Sequence, residues 1–103
     1  MKVIIFGAGG TGRRLYEELK TAGIDDVLCF VDNNRHKQNT TIDGIKVLNP
    51  DKIFEFNYDK IIISTLFGEV ILAQLLDMGV ERGKIEVKEN PHISTRIQWL
   101  RDF

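Results

Sequence analysis

The run Lys2-Val3-Ile4-Ile5-Phe6 stops at Gly7-Ala8-Gly9-Gly10-Thr11-Gly12 and gives way to a helical pattern, and this junction constrains the fold more than any other feature. The run is short, apolar and rich in β-branched residues, which suits a strand covered on both faces of a sheet. From Thr11 to Ala22 the period changes. Leu15, Leu19 and Ala22 share one stripe, while Arg13, Arg14, Glu17, Glu18 and Lys20 lie largely elsewhere, and Gly23 is placed to end the helix. Strand, glycine turn and helix are the first half of a βαβ unit, so the remaining chain is expected to add parallel strands.

It carries the pieces to do so. Val27 to Val31 reads as the second strand, ending at Asp32, and the polar run Asn33 to Thr41 as a long exposed loop. Gly44 to Leu48 is another short strand, after which Asn49 caps and Pro50 opens a brief helix ending near Phe56. Lys60 to Thr65 is a strand, Val70 to Met78 a helix stopped by Gly79, and Lys84 to Val87 a final strand. This alternation predicts an α/β, three-layer fold: a mostly parallel sheet of about 4–5 strands with helices on both faces, over residues 1–88. Asn90-Pro91 makes a break. Residues 89–103 are then expected to form a helical tail capped by Ser94, with Ile93, Ile97 and Leu100 on one side and Trp99 and Phe103 nearby. That apolar face needs a cover, which the domain itself, another copy of the chain or a larger enzyme partner would supply.

A length of 103 residues fits one domain. Lys and Arg total 14 against 15 Asp and Glu, a net charge of −1, so no general attraction to nucleic acid or to an anionic membrane is expected. No stretch is apolar for the ~20 residues that a membrane span needs, and no signal-peptide pattern precedes the first strand, so a cytoplasmic protein is expected. Cys29 reads as a small buried side chain in its apolar run. His36 and His92 are isolated, with no metal-ligand or nucleophile constellation around them, so both are expected in turns or loops and no catalytic set is assigned.

The chemistry gathers at the glycines. Gly7, Gly9 and Gly12 satisfy G-x-G-x-x-G between a strand and a helix, with Asp32 at the end of the next strand at the spacing of a dinucleotide site. Gly7 permits the tight turn, Gly9 lets backbone approach a pyrophosphate, and Gly12 allows helix to pack closely on strand. Backbone N–H groups from about Gly9 to Gly12 would face the phosphates at the positive end of the helix, with Ala8 in the same turn and the Thr11 hydroxyl as a further donor. Asp32, with Asn33 beside it, would accept hydrogen bonds from the ribose and repel a 2′-phosphate, favouring NAD over NADP, whereas Arg35 and Lys37 are cations able to reach such a phosphate. Ser64 and Thr65, at the carboxyl end of a later strand, are expected to border the same crevice. No Gly-Lys-Ser/Thr follows the glycines, so a P-loop for ATP or GTP is not expected. An S-adenosylmethionine site shares the local signals, but the chain is short for the additional strands of such a domain.

Val3 to Gly12, Phe30-Val31-Asp32-Asn33-Asn34 and Asp43-Gly44-Ile45-Lys46-Val47-Leu48 together resemble the Rossmann-like N-terminal module of bacterial nucleoside-diphosphate-sugar epimerases and dehydratases, over Met1 to about Val87. Similar modules accompany sugar acyltransferases of surface-polysaccharide pathways. The resemblance implies a dinucleotide, with NAD the expected cofactor, or alternatively a UDP-sugar, with Gly7, Gly9, Gly12 and Asp32 in the diphosphate and ribose roles. It departs from that family in its catalytic part. Tyr16 and Lys20 match the spacing of the family's Tyr-x-x-x-Lys pair, but they fall in the helix just after the glycine turn, where they read as an ordinary (i, i+4) pair.

Overall fold

The computed structural model describes residues 1–88 apart from Ile24; the expected tail helix at 89–103, with His92, lies outside the described residues. The elements run β1 (Lys2–Phe6), α1 (Gly10–Ala22), β2 (Asp26–Val31), β3 (Thr41–Ile42), β4 (Ile45–Leu48), a 3-10 turn (Pro50–Glu55), β5 (Lys60–Ile63), α2 (Gly68–Asp77), a second 3-10 turn (Arg82–Lys84) and β6 (Ile85–Val87). They build one sheet in the order β3-β4-β2-β1-β5-β6. β1 is central and parallel to both β2 and β5, β4 continues parallel to β2, and β6 parallel to β5. Among the described strands only β3 is antiparallel, paired to β4.

Alternation along β1 sorts the core into two layers, as the two-residue period of a strand requires. Val3 and Ile5 join Leu15 and Tyr16 of α1, with Phe30, Val47 and Ile62. Ile4 and Phe6 join Ile71 and Leu75 of α2 and Ile53 of the first 3-10 turn, with Cys29, Val31, Ile61 and Ile63. Helices therefore cover both faces of a mostly parallel sheet, the three-layer α/β fold expected from the sequence.

Several details differ from the sequence expectation. The sheet of the described residues has six strands rather than about 4–5, because Thr41–Ile42, where the expected loop ends, forms an additional short strand in a hairpin with the expected strand at Ile45–Leu48. Its turn residues Asp43 (φ 52) and Gly44 (φ 79) both adopt the left-handed region, as a two-residue hairpin turn demands. The brief helix after Asn49 is a 3-10 turn, with the Asn49 side chain accepting from the Asp51 N–H. On α1 the buried stripe is Gly12, Leu15 and Tyr16, with Leu19 packed against it, while Ala22 is exposed.

Cys29 is fully buried, and burial pushes its thiol pKa up to about 12. The thiolate is the reactive species, so an Ellman-type reagent at pH 8 is expected to leave the native protein unlabelled and to label one thiol per chain in denaturant. Rapid labelling of native protein would contradict this packing.

Candidate functional site

The carboxyl ends of β1 and β5 lie side by side at the centre of the sheet, where the chain has turned outward to β2 in one direction and to β5 in the other. Open α/β sheets take their ligands in the crevice beyond such a reversal. The glycine turn and Ser64-Thr65 are the two segments that leave the sheet there.

The glycines divide into two kinds. Gly7 holds φ +124, and a Cβ on it would stand 2.5 Å from the Ser64 carbonyl oxygen and 2.8 Å from Thr65 Cγ2. A Cβ on Gly12 would stand 1.8 Å from the Gly7 carbonyl oxygen, so α1 rests directly on the backbone of the turn. The fold itself requires these two. Gly9 and Gly10 have no such reason: a Cβ on Gly10 would meet nothing within 4 Å, and one on Gly9 only the Lys37 ammonium at 3.2 Å. Gly9 sits at φ −87, which any residue adopts, and caps α1 with no side-chain hydrogen bond and no acidic residue in the first turn. The first-turn N–H groups have no intrahelical partners, and the cap residue supplies no side-chain acceptor for them.

The expected site residues converge here, several through bonds not foreseen. Asp32 reaches back to the turn, its Oδ2 accepting the Ala8 N–H at 2.8 Å and its Oδ1 the Asn34 N–H at 2.8 Å. The Thr11 hydroxyl donates to the Ser64 carbonyl at 2.8 Å, tying α1 to the end of β5. Thr65 Oγ1 accepts the Phe67 N–H at 3.0 Å. Asn33 and Gln74 exchange a reciprocal pair of amide hydrogen bonds, at 2.7 and 3.0 Å, joining the β2 end to α2. His36 is exposed in its loop. Sequence reasoning gave Lys37 no place beside Gly9, because the two are brought together only by the fold of the loop after β2.

Tyr16 and Lys20 turn away from this crevice. Both donate to Asp43 Oδ2, at 2.8 and 2.9 Å, bracing α1 against the β3–β4 turn. The hydrogen bond to Asp43 is the main cause that raises the Tyr16 pKa, the reverse of an activated phenol. The same bonds, Lys20 first and then Tyr16, hold the Asp43 carboxyl below its ordinary value. A carboxylate depressed in the folded state stabilises above its unfolded pKa and loses that contribution as pH falls through the folded one. Asp43→Asn is therefore expected to flatten the decline of the urea midpoint below about pH 4, and an unchanged acid limb would remove Asp43 from that role.

Among the described residues no helix is long and apolar enough to cross a membrane, and no cluster of three or more His, Cys, Asp or Glu is grouped to hold a metal. Solved structures share the fold. UDP-D-quinovosamine 4-dehydrogenase from Vibrio fischeri superposes with a TM-score of 0.72 at 24% identity, over 94% of this chain and 84% of that one. RSP, a Rex-family repressor, gives 0.69 at 14% identity over 98% of this chain, and RSP in complex with β-NAD+ and operator DNA gives 0.67 at 14% over 97%. This chain spans 58% and 54% of those two repressor chains. No curated protein matches the sequence. At these identities the structures speak for the fold alone, a Rossmann-like, mostly parallel sheet with helices. The sequence itself matches the C2185-like, N-terminal family over residues 1–86, and the chain belongs to that family.

Proposed function

We propose that this chain binds a dinucleotide, NAD or NADH, with its diphosphate on the turn Gly7-Ala8-Gly9-Gly10-Thr11-Gly12 and its adenosine ribose beside Asp32 and Asn33. One observation carries the reading: Gly9 and Gly10 lack side chains where neither backbone conformation nor neighbouring atoms require it, directly before the uncapped N-terminus of α1. A bare helix start with glycine at its cap is where phosphate oxygens approach backbone N–H groups and the helix dipole. The repressor solved with β-NAD+ and with β-NADH shares the fold and supports the choice of cofactor. In this reading the chain is a binding or cofactor-supplying module of a nucleotide-sugar-modifying system, with acid–base groups contributed from outside it.

Titration calorimetry with NADH tests the reading. Gly9→Val introduces a branched side chain where only the movable Lys37 tip stands. It is expected to fold with an unchanged far-ultraviolet spectrum and to bind NADH at least about tenfold more weakly, the scale of a lost set of charged hydrogen bonds. Equal affinity in the variant would show that the turn does not face the ligand.

A second reading places a UDP-sugar on the same turn, favoured by the neighbour that is a UDP-D-quinovosamine dehydrogenase and covers 94% of this chain. Both ligands carry a diphosphate. Parallel titration with UDP-N-acetylglucosamine separates them, since a site built for UDP would prefer it to NADH.

A further inference from the structure

We propose that Lys37 is a ligand-binding residue of this site, its ammonium pairing with the phosphate held over Gly9, with the Ser64 hydroxyl as a neutral partner at the β5 side. This rests on the turn holding a diphosphate. The backbone fold of the motif supplies only N–H groups and a partial dipole charge, and neither the glycine pattern nor Asp32 calls for a full positive charge from the loop after β2.

The position of the side chain is what points to the role. The Lys37 ammonium lies 3.2 Å from where a Gly9 Cβ would stand, so it reaches the space that the missing side chain opens. The loop that carries it is held from several sides. The Lys37 N–H donates to the Asn34 carbonyl, the Gln38 side chain donates to the Asp32 carbonyl, and the Asn39 N–H donates to Val47 of β4. Yet the ammonium has no ion-pair partner among the described residues: the acids that form pairs are Asp25, Asp43, Glu55, Glu86 and Glu18, each with another cation. Asp32, the acid nearest in sequence, has both oxygens on backbone N–H groups. Lys37 is itself half-buried. A half-buried cation set at a helix N-terminus, without an acid, is unfavourable next to the positive dipole end unless an anion joins them.

Ser64 gives an independent indication. The residue is only 5% exposed, and its carbonyl is taken by Thr11, but no group hydrogen-bonds its hydroxyl among the described residues. Every fully buried side-chain oxygen there has a partner, so the unpartnered Ser64 hydroxyl keeps some contact with solvent. Ser64 follows the last residue of β5, its N–H donates to the Phe6 carbonyl at 2.9 Å, and its carbonyl lies 2.5 Å from where a Gly7 Cβ would stand, so the residue adjoins the glycine turn.

The arrangement fits a diphosphate better than the 2′-phosphate of NADP. The ammonium stands at Gly9, where the diphosphate would lie, whereas a 2′-phosphate would have to sit against the Asp32 carboxylate. Lys37 is therefore a general affinity residue for diphosphate ligands rather than a selector for NADP.

The test titrates ADP-ribose, NADH and inorganic pyrophosphate into wild type, Lys37→Gln, Lys37→Arg and Ser64→Ala, at low and high salt. Lys37→Gln is expected to weaken ADP-ribose and NADH by about 10- to 100-fold, the range of one hydrogen bond to a charged group, and to reduce the salt dependence, while Lys37→Arg keeps most of the affinity. Ser64→Ala is expected to have a smaller effect without changing the salt dependence. All variants should melt close to wild type, because no side-chain bond of Lys37 or Ser64 is lost. If wild type binds the ligands and Lys37→Gln binds them equally with the same salt dependence, the role of Lys37 is overturned and the turn reading stands. If wild type binds none of the three, the turn reading fails and the role of Lys37 fails with it.

Discussion

Gly12→Ala is expected to lower stability by about 3 kcal/mol or more, near the upper end for forced overpacking, where Gly10→Ala two residues earlier is expected to raise it by about 0.4–1 kcal/mol. The two substitutions add the same methyl group to the same helix. At Gly12 the methyl would stand 1.8 Å from the Gly7 carbonyl oxygen, inside any contact distance, and a Cβ fixed to one backbone segment against an oxygen of another has little freedom to separate. α1 would have to lift from β1, taking Leu15 and Tyr16 from their contacts with Val3, Ile5 and Phe30. At Gly10 the methyl meets nothing within 4 Å, and a helical alanine restricts the unfolded chain more than glycine does. Against a total stability of roughly 5–15 kcal/mol for a domain of this size, the first change endangers folding. Urea unfolding of the two variants beside wild type measures both signs. A Gly12→Ala protein as stable as wild type would mean that α1 does not sit on the turn as described. Gly10→Ala has a second use, since a methyl that leaves the fold intact but weakens NADH binding would place ligand atoms over Gly10.

Much of this architecture is legible in the sequence because its signals are local. β1 announces itself by an apolar run ended by glycine, α1 by its 3.6-residue stripe and by Gly23, which caps it at φ 68 with its N–H on the Leu19 carbonyl. Gly79, at φ 98, follows the Met78 cap of the second helix and turns the chain there, its N–H donating to the Leu76 carbonyl. What escapes is short or distant. β3 has two residues, too few to show an alternation, although Asp43-Gly44 between Ile42 and Ile45 is itself a hairpin signal that the polar run before it obscures. α2 begins at Gly68 and not Val70 because Phe67 occupies its cap without a side-chain hydrogen bond, leaving no capping residue to read.

The candidate site divides along the same line. Residue types and spacing mark Gly7, Gly9, Gly12 and Asp32, since each glycine's task is set within one turn. The joining of Lys37 to Gly9, of Thr11 to Ser64 and of Tyr16 and Lys20 to Asp43 depends on strand order, which brings segments tens of residues apart to one end of the sheet. Tyr16 and Lys20 illustrate the hazard. Their spacing copies a catalytic pair, while their contacts make them a brace.

Asp32→Ala is expected to produce two separable losses. The carboxylate accepts the Ala8 N–H from the glycine turn and the Asn34 N–H from the following loop, so alanine leaves two donors without acceptors. Ala8 is 3% exposed, and water reaches its N–H poorly as a replacement. The stability loss should therefore approach about 1–3 kcal/mol, the range for an orphaned buried donor. Asp32→Asn keeps one carbonyl acceptor and should fall between wild type and alanine in urea midpoint. The ligand readout moves differently. Both variants remove the negative charge that would oppose a 2′-phosphate, so the ratio of NADPH to NADH affinity should rise by about tenfold in each, equivalent to about 1.4 kcal/mol of relieved repulsion. A purely structural Asp32 predicts otherwise: affinity for the two cofactors would drop together, in proportion to the loss of stability, with their ratio fixed. Measuring NADH and NADPH affinities on all three proteins, beside their urea midpoints, therefore distinguishes a residue that only holds the turn from one that also reads the ribose. If the ratio rises in Asp32→Asn while the midpoint falls only slightly, the same carboxylate both shapes the turn and selects the cofactor.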